Sequence, residues 1–166
     1  MSASSLSVRV GTPHDASLLA ATAERMFRDA FAATNDPMQM DAYCASHYSE
    51  AMQRAELERP DIRVLFIEEE GGVAAYAQLR VDVPEAEIWR FYVDRAHHGR
   101  GLAQQLMAAS LDALRGAGAA RVTLAVWERN PRAIAFYRKS GFEVVGAQPF
   151  ILGSEEQRDL VMARAL

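Results

Sequence analysis

A segment that passes from a strand into a glycine loop and directly into a helix constrains this chain more than any other feature. It covers residues 87–106, EIWRFYVDRAHHGRGLAQQL. The amides of such a loop and of the first helical turn point at one place, where the helix dipole favours an anion. Gly99 and Gly101 permit a close backbone approach that side chains would block. The segment predicts a phosphate or pyrophosphate site, although glycine turns that bind no ligand share the pattern.

The periodicity of the surrounding sequence predicts an α/β fold. Period-2 stretches alternate with helical stripes, and Pro, Gly and capping residues separate them. The predicted strands cover residues 6–10, 63–69, 73–83, 87–93, 121–126, 142–145 (extending toward 151) and 159–163. The predicted helices begin at Thr12-Pro13, at Asp36-Pro37 (broken at Ser49, ending before Pro60), at Leu102 (stopped by Gly116) and at Asn130-Pro131 (ending at Gly141). This order, βααβββαβαββ, favours a mixed, mostly antiparallel sheet flanked by helices on both faces.

Composition excludes several classes of protein. The 166 residues fit one domain, residues 1–166, of ordinary globular composition. A net charge of −4, from 22 acidic and 18 basic residues without a basic run, argues against nucleic acid as a partner. Cys44 is the only cysteine, which favours a reducing, cytoplasmic setting, and the fold needs no disulfide or metal. No stretch approaches the roughly 18 apolar residues of a membrane span, and the polar N-terminus lacks a signal-peptide pattern.

Two nucleotide-binding motifs compete to explain the loop. The P-loop pattern G-x-x-x-x-G-K-[ST] has no match. The dinucleotide pattern G-x-G-x-x-G begins at Gly99 and Gly101, but Gln104 stands at the third glycine position. That pattern also requires a downstream acid for the ribose, and none lies between Asp112 and Glu128. The dinucleotide interpretation is therefore disfavoured.

Two motifs instead resemble the GNAT superfamily of acyl-CoA N-acyltransferases. The stretch FYVDRAHHGRGLAQQLM is similar to motif A, whose core is Q/R-x-x-G-x-G/A, with His98 in place of the usual Gln or Arg. Residues 127–142, WERNPRAIAFYRKSGF, resemble motif B, N-x-x-A-x-x-F/L-Y-x-x-x-G-F, at the usual separation. This resemblance implies the GNAT fold and acetyl-CoA as co-substrate.

The resemblance extends over nearly the whole chain from Val8. The stretches FRDAFAATNDPMQMDAYCASHY and GAQPFILGSEEQRDLVMARAL are similar to the PaiA-type bacterial spermine/spermidine N-acetyltransferases. This implies a polyamine acceptor, although one GNAT scaffold serves many different amines.

The resemblance also assigns residues to CoA. The loop amides would hold the pyrophosphate, Arg100 would pair with a phosphate or stay solvated, and the main chain of Phe91 and Val93 would pair with the pantetheine arm. An amide near Phe91 or Tyr92 would stabilise the thioester oxyanion. The implied CoA contacts are Phe91, Tyr92, Val93, His98, Gly99, Arg100, Gly101, Leu102, Ala103, Asn130 and Lys139. Asn130 equally suits a helix N-cap, and Lys139 a solvated helix position.

Three residues are candidates for proton transfer. Tyr137 matches the family tyrosine that protonates the leaving thiolate, with core packing as the alternative. An amine with a pKa of ~10.4 must lose a proton before it attacks. Glu87 or Glu128, or water held by either, would accept that proton, unless these carboxylates are ordinary surface charges.

Acceptor specificity is expected from the two N-terminal helices and the loop of the closing hairpin. A polyamine presents several cations on an apolar chain, which aromatic rings and carboxylates suit. The candidate contacts are Phe27, Phe31, Asn35, Tyr43, Glu155 and Glu156. Core packing of Phe27 and Phe31 and solvation of the two glutamates are the alternatives.

These features together predict an acetyl-CoA-dependent N-acetyltransferase that acts on a primary amine, preferably a polyamine, by direct attack in a ternary complex. Two alternatives stay open. One is another acceptor, such as an amino acid, an antibiotic amine or a protein N-terminus, and the other is a non-catalytic acyl-CoA sensor. The sequence also leaves open whether the chain forms a homodimer.

Overall fold

The structure, a computed structural model, describes residues 6–166 and folds them around one seven-stranded sheet. The strands are β1 (Ser7–Val10), β2 (Ile62–Glu69), β3 (Gly72–Asp82), β4 (Glu85–Val93), β5 (Arg121–Trp127), β6 (Glu143–Leu152) and β7 (Glu155–Ala165). The helices are α1 (Ala16–Phe31), α2 (Pro37–His47), α3 (Glu50–Leu57), α4 (Leu102–Gly116) and α5 (Pro131–Lys139). Short 3-10 turns occur at Pro13–Asp15, Ala32–Thr34 and Arg95–His97. The predicted mixed α/β class is confirmed.

The strands lie in the order β1-β2-β3-β4-β5-β7-β6. Neighbours β4 and β5 are parallel, and α4 makes the crossover that a parallel pair requires. The other neighbouring pairs are antiparallel. The parallel pair therefore stands at the centre of a mostly antiparallel sheet.

Helix boundaries follow the capping residues with one exception. Asp36 accepts a hydrogen bond from the Met38 amide at 2.8 Å, and Ser49 caps α3, which explains the predicted break. The exception is the end of α4, which stops at Gly116 as predicted but includes this glycine as its last residue. The left-handed turn that follows the helix falls on Gly118, whose φ is 91°.

Helices cover both faces of the sheet, and each face has its own core. On the first, here called the α4–α5 face, Leu106 and Leu114 are fully buried among the sheet residues. On the second, the α1–α2 face, Leu19 and Met40 pack onto Phe66. The sheet thus separates two independent surfaces, and only an opening between strands can join them.

Strand β4 contains a bulge at the centre of the sheet. Gln78 pairs with Arg90, whereas the next residue of β3 pairs with Ile88, so Trp89 is an extra residue. The buried Arg90 guanidinium donates to Glu56 Oε2 and to Gln78 Oε1, both at 2.7 Å. This ion pair fixes β4 at the point where its course changes.

Among residues 6–166, none of the helices combines the length and apolarity that a bilayer crossing needs. The same part of the chain holds no group of three His, Cys, Asp or Glu side chains arranged for a metal ion. Cys44 is a buried free thiol on α2.

Candidate active site

A deep cleft opens in the middle of the sheet where β4 and β5 separate. Their parallel pairing ends at Ile88↔Leu124, just before the bulge. The cleft has a volume of about 1030 Å³ and passes from one face of the sheet to the other. Tyr137 lines it on the α4–α5 face, and Tyr43 lines it on the α1–α2 face.

The second half of β4 presents main-chain groups to this cleft. Successive residues of an antiparallel strand direct their N–H and C=O groups to opposite sides. The Asp94 amide donates to the Ala74 carbonyl of β3 at 2.8 Å, so the main-chain groups of Phe91 and Val93 face away from β3. These two residues and Tyr92 all line the cleft.

The loop after β4 adds unpaired amides at the start of α4. Gly99 and Gly101 have φ values of 81° and 77°, a left-handed conformation that favours glycine. The Gln105 amide bonds to the Gly101 carbonyl at 3.1 Å, which leaves the four preceding amides without an acceptor in the helix. From the loop and the start of α4, the cleft is lined by Arg95, His97, His98, Gly99, Gly101, Leu102, Ala103 and Gln104. Free amides and the positive end of α4 together suit an anion.

Glu69 at the end of β2 holds the loop in place. Its Oε1 accepts from Arg100 Nη2 at 3.0 Å, and its Oε2 lies 2.5 Å from His97 Nε2. Arg100 and His97 lower the pKa of the Glu69 carboxyl to about 2. Arg100 is therefore held outside the cleft lining, whereas a phosphate contact was expected. His98 does face the cleft, and its Nε2 lies 3.0 Å from the Val93 carbonyl oxygen.

Helix α5 contributes one tyrosine to the cleft. Tyr137 is 9% exposed and packs edge-on against Phe91, with 6.1 Å between ring centroids. Burial raises the pKa of Tyr137, so its hydroxyl keeps its proton. Asn130 lines the same cleft and also caps α5, because its Oδ1 accepts from the Ala133 amide at 3.2 Å. Lys139 is exposed at the other end of α5 and lies outside the cleft lining.

Aromatic side chains form a wall on the α1–α2 face of the cleft. The rings of Phe27 and Tyr43 stack with centroids 4.7 Å apart. Phe31 meets Trp127 of β5 edge-on at 5.9 Å. The three aromatic residues expected from the sequence thus line the cleft, and Phe27 is at the same time part of the core.

A shallower side groove adjoins the cleft and shares Asn35, Trp127 and Gln157 with it. Gln157 Nε2 donates to Asn35 Oδ1 at 2.7 Å, which ties the hairpin β6–β7 to the segment before α2. Glu155 and Glu156 line the side groove and not the cleft. These two glutamates therefore lie in the groove next to the cleft, whereas the sequence suggested a direct contact with the acceptor.

The two glutamates expected to accept a proton lie in different places. Glu87 lines the cleft, but Arg80 Nη2 is 2.6 Å from its Oε2. Glu128 lies in the side groove, where Arg158 Nη1 is 3.7 Å from its Oε2. Glu87 thus lines the cleft but is paired with Arg80, and Glu128 lies outside the cleft.

A carboxyl group that the sequence interpretation did not single out lies inside the cleft. Asp159 of β7 is 7% exposed and lines the cleft beside Trp127, its register partner on β5. Burial raises the pKa of Asp159 to about 6. No donor within residues 6–166 bonds its carboxyl oxygens. The prediction started the last strand at this residue, whereas β7 begins at Glu155 and places Asp159 in its interior.

Replacing Asp159 with asparagine should stabilise the protein at neutral pH. An acid with a raised folded pKa destabilises the fold progressively as the pH rises from its ordinary pKa of 3.8 to about 6, because ionisation favours the unfolded chain. Since the cleft admits water, we expect a cost of about 1–2 kcal/mol. In thermal melts, Asp159→Asn should raise Tm by about 3–6 °C at pH 8, and most of this gain should be gone at pH 4. The exposed Asp82→Asn is the control, and a lower Tm for Asp159→Asn at pH 8 would contradict the expectation.

Comparisons with known proteins agree with this architecture. The sequence profile of the Acetyltransferase (GNAT) family matches residues 23–142. An uncharacterized N-acetyltransferase of Mycobacterium tuberculosis H37Rv is 35% identical over 153 residues, which cover 92% of this chain and 98% of that protein. The crystal structure of a PaiA N-acetyltransferase from Thermoplasma acidophilum in complex with coenzyme A superposes with a TM-score of 0.85. It is 20% identical and covers 98% of this chain and 99% of its own, a likeness that shows the fold.

The family match includes both segments that carry the resemblance seen in the sequence, the loop before α4 and helix α5. The mycobacterial relative extends the match over almost the full length of both chains. The seven-stranded sheet with helices on both faces is the GNAT fold. The chain belongs to the GNAT acetyltransferase family and is an acetyl-CoA-dependent N-acetyltransferase of that type.

Proposed function

We propose that this acetyltransferase acetylates a primary amine of a small molecule, with a polyamine as the favoured acceptor, by direct attack in a ternary complex. The observation that carries the proposal is the cleft through the sheet. Its α4–α5 face has the loop amides and Tyr137, and its α1–α2 face has the aromatic wall and Asp159. Two substrates that enter from opposite faces meet at the gap between β4 and β5. This arrangement supports a reaction without a covalent enzyme intermediate.

The loop fits a diphosphate. A Cβ atom at Gly99 would meet nothing within 4 Å, so the backbone there is open to a ligand. The N–H groups of the loop and of the α4 N-terminus would hold the phosphates through charge-assisted hydrogen bonds. When bound, acetyl-CoA supplies an acetyl group activated as a thioester. Asn130 and His98 line the same cleft and are proposed as further contacts to CoA.

The residues between the loop and the gap orient the reacting group. The outward main-chain groups of Phe91 and Val93 would pair with the amides of the pantetheine arm, as an added strand pairs with a sheet edge. The Tyr137 hydroxyl, which burial keeps protonated, would donate its proton to the leaving sulfur. The position of this protonated hydroxyl in the cleft, beside Phe91, supports this role.

A polyamine suits the acceptor side better than a neutral amine does. The aromatic wall can pack against methylene groups and make cation–π contacts with an ammonium group. Where the cleft passes into the side groove, Glu155 and Glu156 offer charge to a second ammonium group. The net charge of −4 adds weak attraction for a cation. We further propose that residues 1–166 act as one domain in the cytoplasm, in keeping with the single cysteine.

Replacing Gly101 with alanine should weaken acetyl-CoA binding. The methyl group would stand on the loop where the diphosphate approaches, on a backbone with φ of 77°. We expect the KM for acetyl-CoA to rise about tenfold, equivalent to about 1.4 kcal/mol, with kcat little changed. Gly118→Ala is the matched control, because its φ of 91° carries similar strain far from the loop. An equal KM for both variants would show that the loop does not bind the cofactor.

The Tyr137→Phe variant tests the proposed acid. Loss of a positioned proton donor should lower kcat by about 10²- to 10⁴-fold, while the affinity for CoA stays the same. The measurement is CoA release with a panel of amines that includes spermidine, monoamines and amino acids. Tyr76→Phe is the control, because that buried hydroxyl lacks a partner and lies outside the cleft lining. Full activity of Tyr137→Phe would exclude the acid role, and CoA binding without turnover of any amine would support the sensor alternative.

A further inference from the structure

We propose that Asp159 is the receptor for the acceptor's reactive ammonium group and takes its proton as the nitrogen attacks. This inference rests on the proposed function and adds to it a residue that sets acceptor specificity. If Asp159 has this role, the enzyme prefers amines that are protonated when they bind.

Asp159 occupies the acceptor side of the gap. Its neighbour Leu160 packs with the core of the α4–α5 face, so the alternation of the strand directs Asp159 to the α1–α2 face. Its register partners are Trp127 on β5 and Gln148 on β6, and all three line the cleft. An acceptor nitrogen beside Asp159 therefore lies on the opposite side of the sheet from Tyr137 and close to the gap where the strands separate.

The carboxyl group lacks a partner of its own among residues 6–166. Asp159 as a residue is 7% exposed, and an ionised carboxylate that loses hydration without gaining a counter-ion is costly. The cleft supplies a place for a cation next to it. An ammonium group of the substrate would provide the missing charge and hydrogen-bond donors.

The other titratable groups that line the cleft do not supply this charge. The acids and tyrosines are Asp29, Tyr43, Tyr48, Glu87, Tyr92 and Tyr137, and the bases are Arg90, Arg95, His97, His98 and Arg132. Arg90 donates to Glu56 at 2.7 Å, and Arg95 donates to the Asp29 carbonyl oxygen. Burial alone accounts for the raised pKa of Asp159, so none of these bases pairs with it. The raised pKa of each tyrosine keeps it neutral, and Glu87 pairs with Arg80. Asp159 is thus the carboxylate in this set that is buried in the cleft and lacks a cation.

The same atoms can carry the proton. The ammonium nitrogen gives one proton to an Asp159 carboxyl oxygen, and the freed lone pair forms the new C–N bond with the acetyl carbon while the C–S bond breaks. The sulfur takes the proton of Tyr137, and the nitrogen's second excess proton returns to the Tyr137 oxygen through water. Asp159 then releases its proton to solvent. The balance is one ammonium and one thioester converted to one amide, one thiol and one proton.

Two measurements on Asp159→Asn test the assignment, with Asp82→Asn as the matched control. By calorimetry on the CoA-loaded protein, spermidine should bind at least tenfold more weakly to Asp159→Asn, with unchanged affinity for CoA. In steady-state assays, kcat/KM for spermidine should fall about 10²- to 10⁴-fold at pH 7. The acidic limb of the wild-type pH profile, with an apparent pKa near 6, should disappear in the variant. Asp159→Glu should recover part of the activity.

A weakly basic amine separates this role from a structural one. A fluorinated alkylamine that is uncharged at neutral pH does not need an ammonium receptor, so its kcat/KM should fall much less in Asp159→Asn. Equal losses for both amines, or wild-type binding and turnover of spermidine by the variant, would overturn the assignment. If wild-type protein acetylates no amine while Asp159→Asn still loses spermidine affinity, the proposed function fails and the ammonium site stands.

Discussion

The separation of β4 from β5 after Ile88 is the constraint on which the rest of the structure depends. Main-chain groups inside a sheet normally find partners, and leaving them free costs free energy. Here the bulge at Trp89 turns β4 away from its parallel neighbour, and the buried Arg90–Glu56 ion pair fixes the strand there. The main-chain groups of Phe91 and the Val93 amide are left beside the cleft, whereas His98 Nε2 lies 3.0 Å from the Val93 carbonyl oxygen. A ligand with amide groups of its own can pair with the groups that are left.

In the proposed mechanism, this opening would allow one small domain to hold two dissimilar substrates. The α4–α5 face offers backbone amides and a helix N-terminus, which suit phosphate. The α1–α2 face offers aromatic rings and the buried carboxyl of Asp159, which suit an amine. Because the sheet lies between these two surfaces, the reactants can meet only where the strands part. The order and separation of the strands therefore determine where the reaction would take place.

Much of this could be predicted from the sequence, because it depends on local signals. The glycines of the loop, the Asn130-Pro131 helix start and the alternation of the strands identified the fold, and most of the residues predicted to contact CoA line the cleft. What the sequence did not reveal depends on contacts between distant residues. Arg100 looked free to bind phosphate, but Glu69 holds it from 31 positions away. The sequence pattern put Asp159 at the start of a strand. Its burial depends on the pairing of β7 with β5 on one side and with β6 on the other.

Residue-level hydrogen exchange of the β4 amides can show whether the open half of β4 binds the acyl donor. In the free protein, the amides of Phe91 and Val93 should exchange quickly, whereas that of Tyr92, which faces β3, should be protected. Addition of CoA should slow exchange at Phe91 and Val93 and leave Tyr92 unchanged. If Phe91 and Val93 are already protected without CoA, or if CoA leaves their exchange unaltered, the open half of β4 is not where the acyl donor binds.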